Sequence, residues 1–110
     1  MIGDEHDNDL HQQLSSRVRE SLNEVVEEET SRKLGELNII SEIQELPGGA
    51  ITVKFTPLSP YSPTAVDTGR KIRDAVLRVE GVNSATVECS GHMQDDIVNK
   101  LVNRLDRKKA

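Results

Sequence analysis

The feature that most limits the fold of this chain is a proline-rich segment near its middle. Its sequence is Thr-Pro-Leu-Ser-Pro-Tyr-Ser-Pro-Thr over residues 56–64. Each proline fixes φ near about −65° and lacks a backbone N–H, so three prolines this close together exclude a helix or a central strand. The segment therefore predicts a stiff loop, and regular structure must lie on either side of it.

The apolar periodicity on both sides of this loop predicts six elements in the order α-β-β-α-β-α. Apolar residues three and four apart predict helices, whereas alternation or short β-rich runs predict strands. The predicted helices are residues 9–29, the stretch from Pro63 to Gly81 and a last helix opened by Asp95 and Asp96. The predicted strands lie in 37–45, 51–56 and 84–89. Pro47-Gly48-Gly49 predicts the turn of a hairpin.

These elements predict a two-layer α+β domain, because helices with one apolar stripe must bury it against a small sheet. We expect three or four strands in a mixed or antiparallel sheet. At 110 residues the chain is long enough for one ordinary domain. We assign it to residues 9–110, preceded by a disordered acidic segment at 1–8.

Composition narrows the classes of function. No apolar run is long enough for a transmembrane helix, and the acidic start does not resemble a signal peptide. A single cysteine excludes a disulfide scaffold, so we expect a cytoplasmic protein. A net charge of −5 and only two aromatic residues disfavour nucleic acid as a partner. A KH-like nucleic-acid domain is less favoured still, because the chain has no G-x-x-G clamp.

Two groups of residues could bind a cation or a partner. Cys89 and His92 are three residues apart after a strand, a spacing at which a thiolate and an imidazole can share one metal ion. The alternative is a buried structural cysteine beside an exposed loop histidine. Three consecutive carboxylates at Glu27, Glu28 and Glu29 predict a site for a cation or a basic partner, or else a solvated acidic corner neutralised by Arg32 and Lys33.

The proline-rich loop carries the remaining candidates. Ser62 precedes Pro63 and is interpreted as a helix N-cap, because no G-x-S-x-G motif surrounds it and no second motif supplies a His–Asp pair. Tyr61 is either an exposed contact anchor or a filler between helix and sheet. No P-loop, dinucleotide fingerprint or H-E-x-x-H motif is present, so we do not expect an enzyme.

Two stretches of the chain read "VVEEETSRKLGELNII" and "SPYSPTAVDTGRKIRDAVLRVEGV". They resemble the small iron–sulfur cluster assembly domain family also called domain of unknown function fifty-nine, which includes SufT-like and PaaD-like proteins of metal–sulfur cluster biosynthesis. The similarity extends over residues 18–89. The family's Asp-Pro-Glu falls on Glu27, Glu28 and Glu29, its loop prolines match Pro60 and Pro63, and its loop Cys falls on Ser62.

The resemblance implies an accessory or targeting factor in iron–sulfur cluster assembly that binds client or carrier proteins. It implies no resident cofactor, but a transiently bound cluster, iron ion or zinc ion. Because Ser62 stands where the family has its loop Cys, the ligand candidates that remain are Cys89 and His92. A homodimer would combine two such pairs. The residues expected to bind partners are Glu27, Glu28, Glu29, Ser59, Tyr61 and Ser62. The alternative is a protein-interaction domain of the same fold without a cluster role, because Ser62 replaces a soft ligand by a neutral alcohol.

Overall fold

The computed structural model describes residues 14–104. The predicted acidic segment 1–8 and the predicted start of the first helix lie outside the described residues. In chain order the elements are α1 (helical over 14–23 of the described part), α2 (Leu34–Leu37), β1 (Ile40–Leu46), β2 (Ala50–Phe55), α3 (Ala65–Leu77), β3 (Ser84–Cys89) and α4 (Asp95–Val102).

The three strands form one mixed sheet in the order β1-β2-β3. β1 and β2 are antiparallel and joined by the predicted turn, in which Gly48 and Gly49 have φ of 79° and 76°. β3 lies parallel to β2, with Val53 opposite Val87, after a crossover through α3. The mixed form of the predicted sheet is confirmed, and an antiparallel placement of the third strand is wrong because a helix-length connection returns the chain in the same direction.

One face of the sheet is apolar and covered by helices, whereas its other face is polar. On β3, Ala85, Val87 and Cys89 are buried, and the alternate residues are exposed. The predicted two-layer α+β architecture is thus confirmed. The core between the layers is a single cluster of buried apolar side chains: Val18, Leu22, Leu34, Ile39, Ile51, Val53, Phe55, Ala65, Ile72, Ala75, Val76, Val79, Ala85, Val87, Cys89, Val98 and Val102.

The first helix ends earlier than predicted. The helical residues stop at 23, not 29. The chain then reverses, because the Leu34 N–H donates to the Val25 carbonyl at 2.8 Å and Val26 pairs with Lys33 in an antiparallel bridge. This ending moves the three glutamates from a helix terminus into a turn, away from the negative end of a helix dipole.

Two further boundaries differ from the sequence predictions. The run predicted as strand from residue 37 begins with the one-turn helix α2, which ends at Asn38 in the left-handed region at φ 58°. α3 begins at Ala65, and the Thr64 side chain at its N-cap position makes no capping bond. The N-cap prediction for Ser62 is wrong, because the chain makes one more turn after the proline and the hydroxyl is used elsewhere.

α4 packs against both α3 and β3. Its predicted start at Asp95 is confirmed. Gly69 on α3 allows the close approach, since a Cβ there would lie 2.5 Å from a methyl group of Val102. Val98 and Val102 are buried, whereas Ile97 on the same helix is half exposed. No helix within residues 14–104 is long and apolar enough to cross a membrane.

Candidate functional site

The acidic turn after α1 is organised around one buried carboxylate. The Glu27 side chain is only 2% exposed. Its Oε1 accepts hydrogen bonds from the Thr30 N–H and the Thr30 hydroxyl, both at 2.8 Å, and its Oε2 accepts from the Glu29 N–H at 2.9 Å. The backbone closes the same turn, since the Glu27 N–H donates to the Arg32 carbonyl at 2.8 Å. Glu27 is therefore a structural anchor of the turn and not a solvated charge.

The proline-rich loop meets this acidic turn through two hydroxyl groups. The Ser62 hydroxyl donates to Glu29 Oε1 at 3.2 Å, and the Thr64 hydroxyl donates to Glu27 Oε2 at 3.2 Å. These contacts join residues more than 30 apart in sequence. We call the group Glu27, Glu29, Thr30, Ser62 and Thr64 the acid–hydroxyl corner. Its formation brings together the two segments that the sequence analysis singled out.

The pKa of Glu27 reflects these contacts. Burial alone would raise the pKa of this carboxyl, but the hydrogen bonds from Thr30, Glu29 and Thr64 favour the charged form more strongly. The net effect is a pKa below the ordinary value of 4.5. The corner thus keeps a negative charge at neutral pH, and no buried side-chain nitrogen or oxygen in the described residues lacks a hydrogen-bond partner.

A lysine on α3 holds the middle glutamate of the turn. Lys71 Nζ donates to the Val26 carbonyl and to Glu28 Oε2, both at 3.1 Å. Arg32 and Lys33, the expected counter-ions, pair instead with Glu36 and Glu24. The expected neutralisation by Arg32 and Lys33 is therefore wrong, because the reversal after α1 turns these side chains toward other acids.

The segment after β3 ties onto the same loop. The Gln94 N–H donates to His92 Nδ1 at 3.0 Å, which assigns the ring proton to Nε2, and Nε2 donates to the Ser62 carbonyl at 3.0 Å. The Met93 N–H donates to the Pro60 carbonyl at 2.8 Å. His92 thus links the two loops, and both of its ring nitrogens are engaged in hydrogen bonds.

Exposed apolar side chains gather where these loops meet. Tyr61 is 73% exposed, Met93 is 64% exposed and Ile97 is 50% exposed, the three highest values among large apolar residues of the described chain. The Met93–Pro60 bond places two of the three on adjacent loop segments. Tyr61 is therefore an exposed side chain, not a filler, and we call Tyr61, Met93 and Ile97 the apolar patch.

Sequence reasoning missed Thr30, Thr64, Lys71, Met93 and Ile97. The i, i+4 spacing of Met93 and Ile97 beside the buried pair Val98 and Val102 is a signal that could have separated an outer apolar face from the core face. The other three carry no distinctive signal, because a threonine or lysine acquires such a role only when the fold brings its partner to it.

Cys89 lies beneath the start of α4, and its thiol is unreactive at neutral pH. Its side chain is buried in the core cluster. Burial, together with the charge of Asp95 and a hydrogen bond to it, raises the pKa of Cys89 to about 12. The thiol is therefore protonated at neutral pH, and a protonated thiol is a poor metal ligand. This environment matches the alternative of a small buried cysteine.

The side chains of the described part of the chain do not fit a resident metal or cluster. Within residues 14–104, no three histidine, cysteine or acidic side chains are grouped so that they could hold a metal ion. Ligation by Cys89 and His92 would require the thiol to lose its proton and the imidazole to give up one of its two hydrogen bonds. Nor does His92 approach the Ser62 hydroxyl as a base, since it bonds the carbonyl of that residue.

Comparison with known proteins agrees with this fold. The family model described as "Iron-sulfur cluster assembly protein" matches residues 15–89. Among seven matching chains of solved structures is the crystal structure of a domain of unknown function, DUF59, from Bacillus anthracis. It has a TM-score of 0.67 and 15% identity, and the match covers 72% of this chain and 76% of that one, a likeness that shows the fold alone. No curated protein matches the chain.

The family match spans α1 to β3 and includes the whole acid–hydroxyl corner. It therefore covers well over half of the chain and confirms the resemblance seen in the acidic turn, the proline-rich loop and α3. This chain belongs to the iron–sulfur cluster assembly protein family.

Proposed function

We propose that this chain is a non-enzymatic accessory or targeting factor in iron–sulfur cluster assembly, which acts by binding client or carrier proteins. A cluster, where one is handled, is cargo that passes between partners. As the lone, buried cysteine suits a reducing compartment, we place this role in the cytoplasm.

One observation carries the proposal: Tyr61 and Met93 of the apolar patch stand on loops that hydrogen bonds tie to each other and to the acid–hydroxyl corner. Exposed aromatic and methionine side chains are the residue types that contribute most at the centres of protein interfaces. A stiff support lowers the entropy lost when such side chains are immobilised on binding. The contacts of Ser62 and His92 provide that support from two sides of the proline-rich loop.

The residues expected to bind partners have two different roles in this proposal. Tyr61, Ser59, Glu28 and Glu29 are exposed and can touch a partner directly. Glu27 and Ser62 are buried, so they act by positioning the loop and the turn. A partner that contacts this surface meets an aromatic side chain beside carboxylates, which suits a segment that carries both apolar and basic residues.

A second function is favoured by Ser62. The resemblance places the family's loop Cys at this position, and a hydroxyl is a poor ligand for soft metals. A protein-interaction domain that keeps the fold without a cluster role is therefore the alternative. Iron and sulfide analysis of anaerobically isolated protein separates the two, since only the first function expects cluster to accompany the protein or its partner complex.

The decisive experiment is complementation in cells from which the gene has been removed. The activity of iron–sulfur enzymes is compared with that of enzymes that need no cluster. We expect iron–sulfur activities alone to fall, and wild-type protein to restore them. A Tyr61→Ala, Met93→Ala double variant should restore them poorly, because it removes the centre of the apolar patch.

The matched control is a Leu46→Ala, Leu77→Ala variant. These two leucines are also exposed, at 39% and 38%, but lie on β1 and α3 away from the corner. The control should restore activity like wild type. Normal iron–sulfur activities after gene removal would refute the assembly role, and equal rescue by both double variants would refute the surface.

A further inference from the structure

α4 supplies the hydrogen bonds that a neighbouring strand would otherwise give to β3. The Asn99 side chain accepts from the Cys89 N–H at 2.6 Å and donates to the Cys89 carbonyl at 3.3 Å. Asn103 does the same for Val87, at 2.8 Å and 2.7 Å. Each asparagine thus reproduces the pair of bonds that a facing residue exchanges in an antiparallel ladder.

The spacing of the two asparagines matches the spacing of the strand. Residues four apart on a helix are separated by about 6 Å along its axis, and alternate residues of a strand by about 6.6 Å. The Asn103 amide also donates to the Asn99 carbonyl at 2.9 Å, which fixes its orientation. Arg73 Nε also donates to the Ala85 carbonyl, so the outward carbonyls of residues 85, 87 and 89 and the N–H groups of Val87 and Cys89 all have partners.

The edge cover lies outside the part of the chain that the family model matches. The family match ends at residue 89, the last residue of β3, and α4 follows it. Without α4, β3 would present a row of unpaired backbone groups, which is a template for pairing with another chain. The segment that covers this edge is therefore also the segment that decides whether the edge is available.

The strand beneath the cover is complementary to itself. In an antiparallel pairing of two copies centred on Val87, each Val87 faces the other and Ala85 faces Cys89, so that small apolar side chains share the helix-covered face. On the polar face Thr86 stands opposite Glu88, so no two like charges are opposed. Such a pairing uses the backbone N–H and C=O groups that point outward from β3, which are those of residues 85, 87 and 89.

We propose that the edge of β3 is a latent surface for association with a second copy of this chain, and that α4 keeps it closed through Asn99 and Asn103. Opening α4 also uncovers Cys89, whose thiol is buried and bonded to Asp95 in the first turn of that helix. Because the chain has one cysteine, the rate at which a thiol reagent labels it reports the opening directly.

The experiment compares two double variants of the full chain. Asn99→Ala with Asn103→Ala removes both amides without lowering the helix propensity of α4, because alanine is a better helix former than asparagine. Asp96→Ala with Lys100→Ala is the matched control, since these residues have the same spacing, are exposed, and leave the net charge unchanged. We expect the asparagine variant to label about tenfold faster or more and to form a concentration-dependent dimer in sedimentation, whereas the control stays monomeric and protected.

The register of the dimer is tested by a further substitution on the polar face. Thr86→Glu, added to the asparagine variant, would place two glutamates opposite Glu88 of the other copy and should weaken the dimer. Ser84→Glu faces no acid in this register and should not. A monomeric asparagine variant with a protected thiol, or a dimer insensitive to Thr86→Glu, would overturn the proposal.

Wild-type protein gives an independent test, which also decides the matter if the asparagine variant does not fold. The labelling rate of Cys89 is measured at increasing sub-denaturing urea concentrations. We expect a labelling route with a much weaker urea dependence than global unfolding, because undocking α4 exposes little surface. Labelling that occurs only through global unfolding would overturn the proposal.

Discussion

Replacing Glu27 by Gln tests whether the acid–hydroxyl corner is held together by one buried charge. The carboxylate accepts four hydrogen bonds, at 2.8, 2.8, 2.9 and 3.2 Å. The amide of glutamine has the same shape but a single acceptor oxygen. If this oxygen faces Thr30, the NH₂ group faces the Glu29 N–H, and two donors oppose each other.

The cost follows from these contacts. The Thr64 hydroxyl can rotate to accept from the amide, but the Glu29 N–H cannot, so one backbone donor loses its partner at about 1–3 kcal/mol. The remaining bonds also lose the strength that the charge gave them. We expect E27Q to lower the free energy of unfolding by about 2–3 kcal/mol in urea denaturation at pH 7, without a change in the dependence on urea.

The control is the neighbouring acid. E28Q removes an exposed ion pair with Lys71, in which the two side chains are 55% and 40% exposed, and should cost less than about 1 kcal/mol. Equal effects of E27Q and E28Q on the free energy of unfolding would refute the role of Glu27 as a buried charge that holds the corner together.

The pH dependence supplies the second half of the test. Because the pKa of Glu27 in the folded state lies below the ordinary value of 4.5, its stabilisation is complete above that value and is lost as the pH falls through the folded-state pKa. The stability difference between wild type and E27Q should therefore be largest at neutral pH and shrink below about pH 4.5. A difference that stays constant down to acid pH would contradict the assigned charge.

Three further predictions follow from contacts around the corner and α4. Ser62→Ala should cost about 1 kcal/mol in urea denaturation, since it removes one hydroxyl–carboxylate bond while Thr64 still contacts Glu29; no loss at all would contradict the role of the hydroxyl. Gly69→Ala should cost about 1–3 kcal/mol and speed labelling of Cys89, because its methyl group would displace Val102, whereas unchanged labelling would show that α4 accommodates it. The raised pKa of Cys89, about 12, means that stability should fall as the pH rises from about 9 toward 12, since the thiol ionises more readily in the unfolded chain; Cys89→Ser should remove this part of the alkaline loss, and an identical pH profile for the variant would contradict it.

The sequence predicted the elements of the fold better than their ends. The alternation of Ile51, Val53 and Phe55 has one physical interpretation, a strand with one buried face, and it is confirmed. The end of α1 could not be predicted in the same way, because it depends on contacts between Val25 and Leu34 that exist only after the chain has reversed. The spacing of apolar residues shows which face of a helix or strand is buried. It carries no information about a turn that one of its own side chains closes, as Glu27 closes the turn after α1.

For the candidate site too, the sequence predicted the segments involved but not the roles of their individual residues. The two segments of the corner were identified from their composition and from the family resemblance, and the structure brings them into contact through Ser62 and Thr64. The roles within the corner were not predictable, because burial decides them. Three adjacent glutamates are identical in sequence terms, yet Glu27 is an internal anchor, Glu28 pairs with a lysine and Glu29 receives a hydroxyl from the loop.

The geometry of Ser62 gives a physical reason for a hydroxyl at a position where the family resemblance places a thiol. An S–H group is a weak donor, so a cysteine here would tie the loop to Glu29 only loosely, whereas the Ser62 hydroxyl donates to that carboxylate at 3.2 Å. The same carboxylate would oppose formation of a thiolate, because two negative charges would then share one partly buried site. A serine at this position gives up a soft ligand and gains a more firmly held loop. A firmly held loop that presents Tyr61 is what the proposed binding of a protein partner requires.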